Sequence, residues 1–353
     1  MKKPGKNMKF AITAGLTGLL ISPLAQSGTV NLWGQAHLSG DFVDNGSTDS
    51  QYVASNSSRL GISGEQDIEH GMKVLFNYET GVDFTGQGNN DGNGGANSTG
   101  QLFTATRESW IGLSTGFGSF KAGKVGGVNE WMYDYNLFAD QVGDLGNIWG
   151  ASGLAGRFSN AVQYSSPVVS GFDVRLGFSP NEGVSDTSIT VLKANYAMAD
   201  MKFGLGYMNQ GMGAGADEHV AMALTASYNM KKFSVGGGYQ TETDAAGVAG
   251  NDRSSFTLGG SFNLGMGSIK GQFTQSTGDV DKSDATQIAI GYDHSLGKNT
   301  TIYVAYAMTD NDDNAAFNAN NWGHGDSVAS AAGDDPSAFS VGLVYKFDAA
   351  LMK

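Results

Sequence analysis

From Val30 onward the chain alternates. In Val30-Asn31-Leu32-Trp33-Gly34-Gln35-Ala36-His37-Leu38-Ser39-Gly40-Asp41-Phe42, even positions carry Val, Leu, Ala, Leu and Phe, while Asn, Gln, His, Ser and Asp fall on odd ones. Period two is strand spacing, because successive strand side chains point to opposite faces. The pattern recurs in Met72-Lys73-Val74-Leu75-Phe76-Asn77-Tyr78 and Phe172-Asp173-Val174-Arg175-Leu176-Gly177-Phe178. Further runs start at Phe203, Val220, Phe233, Phe256, Ile269, Ile288 and Ile302, and the last is Phe339-Ser340-Val341-Gly342-Leu343-Val344-Tyr345-Lys346-Phe347. About 16 such strands fit between Thr29 and Phe347. No helix of any length is expected among them.

The polar face decides which way these strands look. It carries Arg59, Lys73, Glu79, Arg107, Lys121, Arg157 and Arg175 at mid-strand, too hydrophilic for the core of a soluble sandwich. The apolar face is a single layer with aromatics near both strand ends: Phe172 with Phe178, Phe203 with Tyr207, Phe233 with Tyr239, Phe256 with Phe262. Six residues of tilted strand span roughly 15 Å along a membrane normal, so such pairs suit two interfacial aromatic girdles. The pattern predicts an all-β fold, a 16-stranded antiparallel transmembrane β-barrel with apolar side chains toward lipid and a wet lumen.

Connections alternate in length. Short turns near residues 115–119, 166–171, 198–201, 229–232, 264–267 and 293–298 separate long polar loops near 44–56, 85–101, 125–156, 209–219, 241–253, 277–285 and 309–336. Short turns on one side and long loops on the other orient the barrel, with the turns in the periplasm. Residues 125–156 are unlike the other loops. They contain Trp131, Met132, Tyr133, Tyr135, Leu137, Phe138 and Val142, which are costly to leave in water. A barrel of this size can accept a folded-in segment, so this third long loop is expected inside the pore, presenting Asp140 and Asp144 to a basic wall.

Composition narrows the function. The 353 residues include 34 acids and 21 Lys or Arg, net −13, and no cysteine. Without cysteine there is no disulfide framework, thiolate metal site or thiol nucleophile. The acidic balance argues against nucleic acid as a partner. The 53 glycines are roughly twice the usual share, and charged residues are 16% against an ordinary ~25%. The first residues carry Lys2, Lys3, Lys6 and Lys9 ahead of an apolar stretch and Ala25-Gln26-Ser27. That is the layout of a secretory signal peptide, residues 1–27. Its cleavage takes the net charge from −13 to −17. The barrel domain is then 28–347, and 348–353 is a short tail beyond Phe347.

In order and spacing these features resemble the trimeric, 16-stranded general diffusion porins of Gram-negative outer membranes. The resemblance rests on Val30-Asn31-Leu32-Trp33-Gly34, Ser58-Arg59-Leu60-Gly61-Ile62-Ser63-Gly64 and Thr106-Arg107-Glu108-Ser109-Trp110-Ile111-Gly112-Leu113. It rests also on Phe117-Gly118-Ser119-Phe120, Phe138-Ala139-Asp140 with Gly143-Asp144, and Gly156-Arg157-Phe158-Ser159-Asn160. It implies a homotrimer in the outer membrane, in contact with lipid and lipopolysaccharide, passing small hydrophilic solutes and ions. It also implies a constriction in which Arg59, Arg107 and Arg157 face the loop acids Asp140 and Asp144. Lys121 and Lys124 are further wall candidates, and Gln35 stands where some members are cationic. Opposed charges across a gap orient dipolar solutes and raise the barrier for apolar ones. Two departures stand out: the chain runs on past Phe347, and Glu108 falls on the lipid-facing parity of its strand.

Other chemistry is weaker. His37, Ser39 and Asp41 share one strand face, as a lumenal hydrolase would need, but that face is polar lumen lining. The remaining histidines have no metal-ligand spacing. Asp310-Asn311-Asp312-Asp313-Asn314 opens like a calcium loop but lacks its later glycine and glutamate, and reads as an acidic exposed loop. Divalent cations bridging loop acids to lipopolysaccharide are a secondary expectation. No phosphate-binding loop appears and no cofactor or resident metal is expected. The excess of acid suggests a mild cation preference. The alternative to a channel is a surface adhesin, a structural barrel with a closed lumen.

Overall fold

The computed structural model describes residues 28–86 and 103–352. The expected signal peptide, and most of the Gly/Asn-rich loop 85–101, lie outside the described residues. The strands are β1 (Gly28–Asp44), β2 (Asp49–Ser55), β3 (Arg59–Asp67), β4 (Lys73–Val82), β5 (Phe103–Thr115), β6 (Gly118–Gly126) and β7 (Arg157–Ser165). They continue with β8 (Phe172–Ser179), β9 (Ile189–Met198), β10 (Met201–Gln210), β11 (His219–Asn229) and β12 (Phe233–Thr243). The last five are β13 (Arg253–Asn263), β14 (Gly267–Gly278), β15 (Ala285–Gly297), β16 (Thr300–Asn311) and β17 (Ser337–Met352). Neighbours pair antiparallel in one sheet, and β17 pairs back onto β1, so the sheet closes on itself. β2 and β3 both pair with β1. They are two halves of one strand interrupted at 56–58, where Ser57 takes φ +45°. The seventeen segments therefore make a sixteen-stranded antiparallel barrel.

Two boundaries differ from the sequence pattern. Residues 49–55, inside the expected first loop, are strand. The chain also does not leave the sheet at Phe347. Leu32 faces Ala349, Asn31 faces Ala350 and Val30 faces Met352. β1 starts at Gly28 and so offers unpaired backbone beyond Gly34↔Phe347, which the last residues satisfy.

Burial is inverted relative to a soluble protein. Phe42, Ile111, Val162, Phe178, Leu224, Phe256, Ile290 and Val341 are 45–61% exposed on the outer face. The alternating positions Gln35, His37, Ser39, Asp41, Gln240, Glu242, Gln272, Thr274 and Ser276 are buried inside. Apolar side chains outward around a polar interior is the arrangement hydrocarbon solvent requires.

The connection 127–156 lies along the inner wall. It contains two short helices, α1 (Asn129–Met132) and α2 (Gly146–Trp149). Val128, Trp131, Met132, Phe138, Val142, Leu145, Ile148 and Trp149 are at most 1% exposed. They pack on inward alanines of the wall, among them Ala161, Ala221 and Ala223 on one side and Ala289, Ala305 and Ala307 on the other. Small wall residues make room for large loop residues. A Cβ at Gly206 would stand 2.4 Å from the Trp131 ring, so β10 needs glycine there. Polar tethers fix the register. Trp131 Nε1 donates to Gln240 Oε1 (2.9 Å), Gln240 Nε2 to the Trp149 carbonyl (2.9 Å), and Lys270 Nζ to the Leu137 carbonyl (2.9 Å). Lys193 ion-pairs with Asp134.

Candidate functional site

The third long loop carries its acids to different places. Asp140, at φ +60°, puts Oδ2 3.1 Å from Arg59 Nη1. Arg59 also donates to the Ser57 carbonyl (3.1 Å) and to Gln35 Oε1 (3.3 Å), and its Nε lies 3.8 Å from Glu79 Oε1. Glu79 accepts in turn from Arg107 Nε at 2.5 Å. Asp140, Arg59, Glu79 and Arg107 thus form one chain of alternating charge. Burial raises the Asp140 carboxyl, but Arg59 and Arg107 outweigh it and hold the group below the usual carboxylate range.

Asp144 does not face the lumen. It is fully buried, and its carboxylate accepts from the Asp140 amide (2.7 Å), the Gly146 amide (2.7 Å) and Asn136 Nδ2 (2.8 Å). Burial first, and the neighbouring Asp140 charge second, push it up to about 7 against those three donors. It braces the turn that presents Asp140.

The remaining predicted bases border a different space. Arg157 and Lys121 line a cavity of about 530 Å³ with Arg175, Glu108, Glu130 and Asp134. Lys121 Nζ sits 4.2 Å above the Trp110 ring, a geometry that stabilises a cation on an aromatic face. Glu130, in α1, ion-pairs with Arg175 of β8. The wall of β5–β8 supplies the bases, and the start of the third loop supplies Glu130 and Asp134. Lys124 falls outside this set. It shares the alternation of outward-facing Phe120 and donates to the Thr106 carbonyl (2.8 Å).

Glu108 corrects the sequence reading. Tyr78 pairs with Ser109, but Thr80 pairs with Thr106, so Arg107 and Glu108 together oppose Glu79. This β-bulge inserts one residue and shifts the side-chain alternation. Arg107 is buried beside Glu79, and Glu108 lines the same cavity as Arg157 rather than facing lipid.

The His37–Ser39–Asp41 trio is not a hydrolytic relay. Ser39 Oγ donates to Asp41 Oδ2 (2.9 Å), and His37 Nε2 is bonded to the Tyr303 hydroxyl (2.8 Å). A serine nucleophile needs a histidine to take its proton, and His37 is engaged elsewhere.

Sequence reasoning missed Glu130 and Asp134 as loop acids facing the wall. It also missed Glu79 as the carboxylate shared by two arginines. Their signal was present: Glu130 precedes, and Asp134 lies within, the aromatic run 131–135 that marked the loop.

A closed barrel with an apolar exterior, a charged interior and a loop along its inner wall defines a transmembrane β-barrel channel protein. The chain belongs to the Gram-negative porin family, whose model matches residues 16–314, and is accordingly a non-enzymatic outer-membrane protein. It is 28% identical over 314 residues to outer membrane porin protein 32 of Delftia acidovorans, covering 82% of this chain and 86% of that one. Its fold superposes on the anion-selective porin from Comamonas acidovorans with TM-score 0.78 at 23% identity, covering 91% and 100% of the two chains. It also superposes on OmpT of Vibrio cholerae in a trimer form, with TM-score 0.68 at 16% identity, covering 91% and 100%.

Proposed function

We propose that the protein is a water-filled pore for passive diffusion of small hydrophilic solutes and ions across the outer membrane, with a charged constriction inside the barrel. The carrying observation is the 530 Å³ cavity between the β5–β8 wall and the third loop, where Lys121, Arg157 and Arg175 face Glu108, Glu130 and Asp134. Charges of both signs across a narrow gap favour dipolar and charged solutes and disfavour apolar ones. Arg59, Arg107 and Asp140 form the fixed end of this charge array, and Asp144 is a positioning residue for Asp140. The bases and acids of the cavity balance, so selectivity is weak, and the acid excess of the chain belongs to its loops. The porin of similar fold from Comamonas acidovorans is anion-selective. A homotrimer is supported by the trimeric form of OmpT, and lipopolysaccharide is the surrounding lipid by the outer-membrane setting. Secretion through a leader spanning residues 1–27 completes the reading.

Planar bilayers test it. Purified protein should give discrete conductance steps with a reversal potential near zero in a salt gradient, and Arg157→Gln should shift selectivity toward cations. Absence of steps would favour the closed structural barrel.

A further inference from the structure

On the outward face, β13 and β14 set two glycines opposite each other, Gly260 and Gly271. The rows on either side of them are filled: Leu258 opposite Phe273 toward the long loops, and Phe262 opposite Ile269 toward the short turns. A bare row between filled rows leaves an apolar hollow of about 790 Å³, which reaches across β12–β16 to Phe233, Ile290, Val304 and Phe339. The chain's own packing does not call for glycine at either place. Neither residue has a left-handed backbone. An added Cβ would meet only ordinary contacts, 3.7 Å from the Ala289 carbonyl at Gly271 and 3.4 Å from the Ser234 carbonyl at Gly260. Glycine inside a strand weakens it and marks places where something else comes close.

The rim below this hollow is basic. Both glycines lie in the half of their strands nearer the short turns, which is the periplasmic half. Among the short turns only two contain Lys or Arg, and they lead into the two outer strands of the hollow: Lys231 and Lys232 between β11 and β12, and Lys298 between β15 and β16. All three are exposed. Among the described residues none of them has an ion-pair partner, whereas the exposed Lys282 is paired with Asp313. Asn263 N donates to the Lys232 carbonyl (2.8 Å), which ties the basic turn to the foot of β13 beneath Phe262. The turn between the two basic ones carries exposed Leu264 and Met266. On the outward face of β15, the Tyr292 hydroxyl and His294 Nδ1 lie 3.1 Å apart and add hydrogen-bonding groups at the same level.

We infer that this face seats an anionic phospholipid of the periplasmic leaflet, with an acyl chain in the Gly260–Gly271 hollow and the phosphodiester at Lys231 and Lys232. An apolar hollow with unpaired cations directly below it matches, in order along the membrane normal, a hydrocarbon chain ending in an anionic head. Four strand spacings put Lys298 roughly 20 Å along the rim from Lys232, so it adds positive potential rather than sharing the same phosphate. A lysine at the membrane surface is worth about fivefold in affinity for an anionic lipid. The site is on the exterior of the barrel and is independent of whether the lumen conducts.

Native mass spectrometry of the detergent-purified protein tests this, with phosphatidylglycerol or phosphatidylcholine of the same acyl chains added. Wild type should retain phosphatidylglycerol at least about fivefold more than phosphatidylcholine. Lys231→Gln/Lys232→Gln should bring that ratio close to one. Gly271→Phe, which fills the hollow, should lower retention of phosphatidylglycerol with both lysines in place, and the milder Gly260→Ala/Gly271→Ala should act in the same direction. Circular dichroism reports that each variant is folded. A wild-type ratio near one, or a ratio that survives the lysine changes, would overturn the inference. Unchanged phosphatidylglycerol retention in the filled variants would also overturn it, because the chain would then lie elsewhere. A filled variant that separates into monomers would show that a second copy of the chain covers this face, which overturns it too.

Discussion

Asp140 and Asp144 are the same residue type four positions apart and do opposite work. Asp140 is ionised against Arg59, whereas Asp144 is enclosed by N–H donors and pushed up to about 7. Neutralising Asp140 removes a charge from the lumen and a charge-assisted hydrogen bond of about 1.5–3 kcal/mol. Asp140→Asn should shift permeability toward anions, read as a reversal potential in a salt gradient, with unchanged selectivity excluding it from the constriction. Asp144→Ala should instead lower thermal stability and broaden conductance levels, because it frees the turn rather than removing a lumenal charge. Glu108 makes the same point about side-chain direction. Glu108→Gln should change selectivity in bilayers and leave detergent behaviour as in wild type. A lipid-facing residue would do the reverse.

At the scale of elements, the third and the last long loops both pack against the inner wall of the barrel, and both are held by groups sensitive to protons. His324 is raised from its ordinary value: burial lowers it, but Asp41 of β1 outweighs this, aided by the Gly325 carbonyl and Asp326 of its own loop. Asn56 faces the same turn without charge, and His37 of β1 is a nearby titratable group. A histidine raised on folding adds stability that is fully present below its unfolded pKa, about 6.5, and lost as pH rises through the folded value. Asp144 is also raised, so its contribution has the same sign: present in acid and lost as pH rises through about 7. Both loops therefore loosen toward alkaline pH. Conductance should increase as pH rises from about 4 through 7, where Asp144 loses its proton, and further above about 6.5, where His324 does, and His324→Gln should flatten the upper part of that rise. A falling or level profile in the wild type would contradict the sign. Packing is the other anchor of the third loop. Trp131→Ala should cost about 3–5 kcal/mol of loop anchoring and enlarge the pore, read as thermal stability and conductance.

These elements also show what could be read from residues alone. Most strands were legible because period-two alternation survives in them, β2, the bulge in β5 and the end of β17 being the exceptions, and the third loop because its aromatics are costly to leave in water. Glu108 was not legible, since a bulge inserts a residue without any compositional mark. The inward fold of residues 312–336 was hidden for a related reason. Its anchors are backbone amides meeting Asn147 and Asn56, with Phe317, Trp322 and Val328 as sparse large apolar cues among acids, asparagines and small residues. Asp140 was legible as an acid of the inward loop and Arg59 as a base of the polar strand face, their opposition at a constriction came from the family resemblance, and their contact needed coordinates.

For the whole molecule, everything depends on the barrel being greasy outside and charged within. A lysine at the outward Val341 should cost about 2–4 kcal/mol at the bilayer midplane, while Asn195, which lines an interior polar cavity, should accept one at far smaller cost. Refolding yield into lipid vesicles distinguishes them. The most direct test uses the absence of cysteine in the chain. Ser165→Cys places a single thiol on the wall of the charged cavity. Adding a bulky, charged, membrane-impermeant thiol reagent to open channels should step the conductance down in this variant and leave wild-type channels untouched. Conductance unaffected by a reagent shown to have labelled the thiol would mean that ions do not pass through the cavity between the wall and the third loop.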